Sequence, residues 1–155
     1  MLSVLKKYFV SNKTDGRSPE VKLRDKILVA TSVLMLEIAK SDDKLAPAEM
    51  KTIRRIIQTE LEIPKENIEE ILRIAEKDRD DSTDIYEYTK LINQHFSREE
   101  KIQMVERFWR IIYADGIFDQ FEDYMVHKLA DLLRLSHDEL ISAKLKMKPE
   151  NHRGR

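Results

Sequence analysis

Apolar residues in this chain recur mostly three and four positions apart, and no stretch of any length alternates with period two. That pattern predicts helices throughout. Ser18 before Pro19 sets a capping hydroxyl ahead of a proline at the first helical position, opening a long helix over residues 19–41. Its apolar positions include Val21, Leu23, Ile27, Leu28, Leu34, Met35, Ile38 and Ala39, and between residues 27 and 39 they fall on nearly every side. A helix apolar all round belongs at the centre of a core. A second helix is predicted from Pro47, burying Met50, Ile53, Ile56, Ile57 and Leu61. A third is predicted from Pro64, burying Ile68, Ile71, Leu72 and Ala75. Residues 76–84 are almost entirely charged or polar and read as a solvated loop.

The capping pattern S/T/D-x-x-E then occurs at Asp84 with Glu87, Ser97 with Glu100, Asp119 with Glu122 and Ser136 with Glu139, locating four more helix starts. The helices that follow are expected to bury Ile85, Tyr88, Leu91 and Ile92; then Ile102, Val105, Phe108, Trp109, Ile111 and Ile112. The last two bury Phe121, Met125, Leu129 and Leu132; then Leu140, Ile141 and Leu145. The expected fold class is all-α, a roughly seven-helix bundle.

The chain also repeats itself. Residues 38–53 and 111–126 align at a constant offset: Ile38 with Ile111, Asp42 with Asp115, Leu45 with Phe118, Glu49 with Glu122 and Ile53 with Val126. After a one-residue slip, Leu61, Glu62 and Ile63 face Leu133, Arg134 and Leu135. The bundle is therefore expected to consist of two pseudo-repeated helix-loop-helix halves packed face to face, with residues 85–96 as the connecting helix.

Composition supports the helical reading and narrows the function. Only 3 glycines and 4 prolines occur in 155 residues, too few for the tight reversals of an all-β sandwich or barrel. Lys and Arg number 28 against 29 Asp and Glu, a net charge of -1, so the chain lacks the global basic field that nucleic-acid binding draws on. No nucleic-acid partner is expected. Cysteine is absent, which removes disulfides, thiolate metal sites and a cysteine nucleophile. No apolar run is long enough for a transmembrane segment and residues 1–10 do not read as a signal peptide, so the expected location is cytoplasmic.

Three segments are expected. Residues 1–18 form a short amphipathic N-terminal arm, with Leu2, Leu5 and Phe9 at helical spacing beside Lys6 and Lys7, followed by a polar linker over 11–18. Two readings of the arm compete: docking on the domain or a neighbour, and membrane association. Residues 19–148 form the domain, and residues 149–155 a polar basic tail.

Candidate chemistry sits in the repeated element. Asp42 and Asp115 lie at a helix C-terminus, where the dipole opposes a carboxylate, so each needs a compensating partner. Asp43 and Gly116 are placed to stop the helix, and Glu49 and Glu122 fall in the first turn of the next one. Three partners are open: loop N–H groups in an Asx-turn, a nearby Lys or Arg, or a hard divalent cation, Ca²⁺ or Mg²⁺. The candidate metal ligands are Asp42, Asp43, Glu49, Asp115 and Glu122. Asp119 with Glu122 already reads as a complete capping box, whereas the cap position of the first copy is Ala46, so Glu49 is the less explained of the two. Neither loop has the alternating ligands of an EF-hand.

The pattern at residues 39–49 and 112–122, a small residue (Ser41, Ala114) before the Asp, then Leu45 or Phe118, then the Glu, resembles the TerB family named for tellurite resistance. The resemblance covers about residues 29–145. It departs at Asp43, where the family usually has Gly, and at Ile112, where it usually has Ala. TerB-like domains also occur at the front of membrane-anchored J-domain co-chaperones. The resemblance implies an all-helical domain with cation-binding acidic loops, acting in bacterial stress response through protein partners at the inner membrane face.

Other candidates are weaker. Asp123, His127 and Asp131 share one helical stripe, which lies opposite the predicted apolar face and reads as solvated. His95 sits at a helix end and His152 in the tail, Trp109 reads as core, and no G-x-S-x-G elbow, P-loop or dinucleotide fingerprint occurs. The favoured function is a non-enzymatic binding or sensor module. Two alternatives remain: a metal-dependent hydrolase using the paired Asp and Glu loops, which requires those loops to converge, and a co-chaperone-like adaptor with an exposed apolar groove.

Overall fold

The structure, a computed structural model, describes residues 19–41, 46–82, 84–116 and 119–149. Seven helices occur among them and no strand: α1 (Pro19–Ala39), α2 (Pro47–Thr59), α3 (Lys65–Asp81), α4 (Tyr86–His95), α5 (Arg98–Tyr113), α6 (Gln120–Leu132) and α7 (His137–Met147). The fold is an all-α bundle, as the periodicity predicts.

Helix α1 is its axis, packed against α2, α3, α4, α5 and α6. Over residues 28–39 nearly every side chain is buried, from Leu28 and Val29 to Ile38 and Ala39. Removing each large aliphatic side chain from water contributes roughly 1.5–3 kcal/mol, so this helix is held by burial rather than by its own propensity. Two hydroxyls, Thr31 and Ser32, are buried near its centre, and that of Ser32 donates back to the Leu28 carbonyl at 2.9 Å and so enters the core already satisfied. Helix α5 is the second hub, touching α1, α2, α6 and α7. Trp109 and Phe108 lie fully buried on it, and the Trp109 indole N–H donates to the Leu140 carbonyl of α7 at 3.2 Å.

Boundaries follow the sequence signals where local chemistry sets them. Ser97 and Ser136 each make a complete capping box, with Glu100 and Glu139 respectively. At Asp84 the pattern is realised differently: its carboxylate accepts the Tyr86 N–H at 2.9 Å, while Glu87 accepts from the Ser82 hydroxyl at 2.6 Å. Helix α1 stops at Ala39, slightly short of the predicted end.

One predicted loop is helix. Residues 76–81 continue α3, because its charged side chains find partners on neighbouring elements rather than in water. Arg79 pairs with Glu37 of α1 at 2.6 Å, Lys40 pairs with Glu76, and the Tyr88 hydroxyl donates to Asp78 at 2.7 Å. Two predicted core residues are also outside: Phe121 is 54% and Leu145 59% exposed. Val126, Ala130 and Ala143 fill those layers instead, since the inner faces of α6 and α7 are turned by their packing on α1 and α5. The predicted arm, linker and C-terminal residues 150–155 lie outside the described residues.

Candidate functional site

Each acidic loop joins the end of one long helix to the start of a 13-residue helix, α2 or α6. At the first, Lys40 and Ser41 tie off α1 by donating to the carbonyls of Leu36 and Ile38. Asp42, Asp43 and Leu45 lie outside the described residues. The chain then runs extended through Ala46, at φ -70° and ψ 127°, with no side-chain cap, and enters α2 at Pro47. Proline suits that position because its missing N–H would have no intrahelical partner.

At the second, α5 ends at Tyr113 and Gly116 takes a φ of +74° while donating its N–H to the Tyr113 carbonyl at 3.2 Å. A Cβ there would meet nothing within 4 Å, so the requirement for glycine is purely the left-handed backbone. Asp115 is half-buried, and Phe118 lies outside the described residues. Asp119 then caps α6, accepting the N–H of Phe121 at 2.7 Å and of Glu122 at 3.4 Å.

Glu49 and Glu122 occupy the same place in the two loops. Each is the third residue of its helix, and each is only 2% exposed. A carboxylate so deeply buried costs several kcal/mol unless hydrogen bonds or a positive charge replace its water. The helix N-terminus supplies part of that through its dipole, and Glu49, Asp115 and Glu122 each take part in further polar interactions. Glu122 is thus an inward-facing acid. Asp119 accepts the Glu122 N–H, one half of the capping box that Glu100 and Glu139 complete at their own caps.

Among the described residues no group of three or more His, Asp or Glu side chains is arranged to hold a metal. The structure therefore brings Asp115 and Glu122 to the ends of one loop without a complete cation cage of described residues. Their oxygens are nevertheless the donor type that Ca²⁺ and Mg²⁺ take.

A family model described as tellurite resistance protein TerB matches residues 28–145, a span holding both loops and all of α2 to α6. The chain belongs to the TerB family. Among solved structures, this TerB chain is similar to the crystal structure of a protein of unknown function, PG1108 from Porphyromonas gingivalis W83. The TM-score is 0.61 at 19% identity, covering 79% of this chain and 94% of that one. No curated protein matches it. At that identity the likeness concerns the fold, and the TerB assignment rests on the family model.

Away from the loops, the stripe Asp123, His127 and Asp131 is not simply in open water. His127 sits 3.5 Å from Asp123 and its ring lies 6.0 Å from that of His137, in a groove of about 410 Å³ between α6 and α7 that Tyr124 and Asp131 also line. The groove depends on α6 and α7 both packing on α5, which no spacing within either helix reports. Phe121, 54% exposed, was legible only as a member of an apolar stripe, and Tyr124, 66% exposed, was not singled out by the sequence at all.

Proposed function

We propose that this TerB-family chain is a non-enzymatic binding module whose acidic loops take a divalent cation, Ca²⁺ or Mg²⁺. Asp42, Asp43 and Glu49 would serve one loop, and Asp115 and Glu122 the other. The observation that carries this reading is the matched burial of Glu49 and Glu122 at the third position of helices that each follow an acidic loop. Two halves related by the internal repeat would then carry equivalent half-sites. Neutralising Asp115 and Glu122 alters the charge beside Phe121 and Tyr124, the exposed aromatics in the opening turns of α6, and so biases docking of a protein partner there. The setting this reading assigns is the bacterial cytoplasm, at the inner membrane face, in stress response and tellurite resistance. No described helix is long and apolar enough to cross a membrane.

Calorimetric titration of the full chain with Ca²⁺, Mg²⁺, Mn²⁺ and Zn²⁺ tests the proposal. Heat with Ca²⁺ or Mg²⁺ that is lost in Glu49→Gln or Glu122→Gln is the expected result. No heat, and no rise in melting temperature with any of the four, reduces the acids to elements of loop and cap architecture.

A further inference from the structure

We propose that the N-terminal arm, residues 1–10, docks back on its own domain in an apolar cavity beside the first turns of α1. This proposal is independent of the cation reading. The cavity, of about 140 Å³, is lined by Ile27 on α1, Leu61 and Ile63 in the α2–α3 connection and Phe96 before α5, with Arg24 and Arg107 also on its wall. Ile63 is fully buried, but Ile27, Leu61 and Phe96, brought from three parts of the chain, are each left only partly covered against the core. The gap they surround wants an apolar occupant.

The chain itself supplies one of fitting size and reach. Read as a helix, Leu2, Leu5 and Phe9 make one apolar stripe. From Leu2 to Phe9 is the same number of steps as from Arg24 to Thr31, the stretch of α1 that borders the cavity, roughly 10 Å on a helical rise. The linker over residues 11–18 joins the arm directly to Pro19. Extended, it reaches roughly 26 Å, whereas the cavity begins roughly 8 Å and ends roughly 18 Å along α1 from Pro19. An arm tethered so closely meets the cavity at an effective concentration on the order of millimolar, which makes a modest apolar contact sufficient. Residues 1–10 contain no acid to answer Arg24 or Arg107, and Asp25, the acid on the same wall, is buried and already partnered, so recognition falls to the stripe. A membrane is the poorer occupant for this segment, because it is short and carries only Lys6 and Lys7 as bases.

The absence of cysteine allows a direct test. In the full chain, Leu5→Cys paired with Leu61→Cys is oxidised beside a control pairing Leu5→Cys with Leu145→Cys, which lies exposed on α7. The expected result is an intrachain disulfide at least about tenfold faster than in the control and unchanged by about hundredfold dilution. Equal rates in the two variants overturn the proposal, and so does a disulfide that forms only between chains, which would indicate a second copy as the occupant. A second variant, Phe9→Glu, is read by hydrogen exchange with Trp109 fluorescence as the folding control. Faster exchange over residues 24–31 and 61–63 with an unchanged core supports docking; unchanged exchange there overturns it. Sedimentation with phosphatidylglycerol vesicles gives the third readout: co-sedimentation of the unmodified chain together with equal disulfide rates assigns the arm to the membrane and overturns the proposal.

Discussion

Glu62 and Arg134 share one unusual backbone conformation: φ is 58° at Glu62 and 62° at Arg134, each in the turn that ends a 13-residue helix. The next residue in each case is buried and donates its N–H back into the helix, Ile63 to Ile57 at 3.1 Å and Leu135 to Ala130 at 3.0 Å. That is the pattern of a helix terminated by a left-handed residue, a place where glycine normally stands because a Cβ costs about 1–2 kcal/mol. Glu62→Gly and Arg134→Gly are therefore expected to stabilise the fold by about 0.5–1 kcal/mol each, once the added freedom of the unfolded chain is subtracted. Urea denaturation measures it; a loss of stability would show that these side chains contribute more than their backbone strain removes.

The helix caps differ in a way that can be exchanged. Ser97 and Ser136 each accept from the residue three positions on, at 3.2 and 3.1 Å, and their replacement by Ala is expected to cost about 1 kcal/mol each. Ala46 has the extended backbone of a cap and no acceptor, so Ala46→Ser is expected to gain about 0.5–1 kcal/mol. Paired thermal melts of the three variants should move in opposite directions.

Glu139 should contribute to acid sensitivity, as should Glu60, whose carboxyl Arg110 foremost and Arg107 hold below its ordinary range. The Glu139 carboxylate takes hydrogen bonds from Arg98, at 2.5 Å through Nε, and from the Ser136 N–H at 2.7 Å, and Arg98 foremost holds its pKa down to about 2. A carboxyl whose pKa is depressed by folding stabilises the native state above its ordinary pKa and loses that contribution as pH falls towards the folded value. The melting temperature of Glu139→Gln should thus lie below that of the unsubstituted chain near about pH 6, with the gap closing by about pH 2. A gap independent of pH would mean the loss is one of packing or capping alone.

Trp109 is the sole tryptophan and is fully buried between α5 and α7, with the Lys144 ammonium 5.2 Å from its ring centre. Trp109→Phe removes the indole hydrogen bond to Leu140 and leaves a void, with an expected cost of about 2–4 kcal/mol. Guanidinium unfolding followed by circular dichroism measures it. In the unsubstituted chain, intrinsic fluorescence should report the loosening of α7 from α5 directly.

How far the molecule was readable varies with what holds each part. The capping boxes at Ser97 and Ser136, the proline entry to α2 and the glycine exit at Gly116 are local chemistry, complete within a few residues, and their positions stand as read. Residues 76–81 misled because isolated charges predict water, whereas Glu76, Asp78 and Arg79 meet Lys40, Tyr88 and Glu37 from distant positions. Phe121 and Leu145 misled because periodicity marks an apolar stripe without saying how much of it a neighbour covers. In the loops, the acids were legible as a repeated pattern, but the burial of Glu122 was not, since its spacing from Asp119 matches a capping box equally well.

By itself the sequence determined the helical class, the central place of α1 and most helix starts, because apolar periodicity, prolines and caps act over one or two turns. Only the tertiary structure decided that α3 runs on past its apolar face, that Glu49 and Glu122 are both sealed from water, and that Ile27, Leu61 and Phe96 surround one cavity. Each of those depends on side chains far apart in the chain meeting across packed helices, and no short-range pattern carries that information.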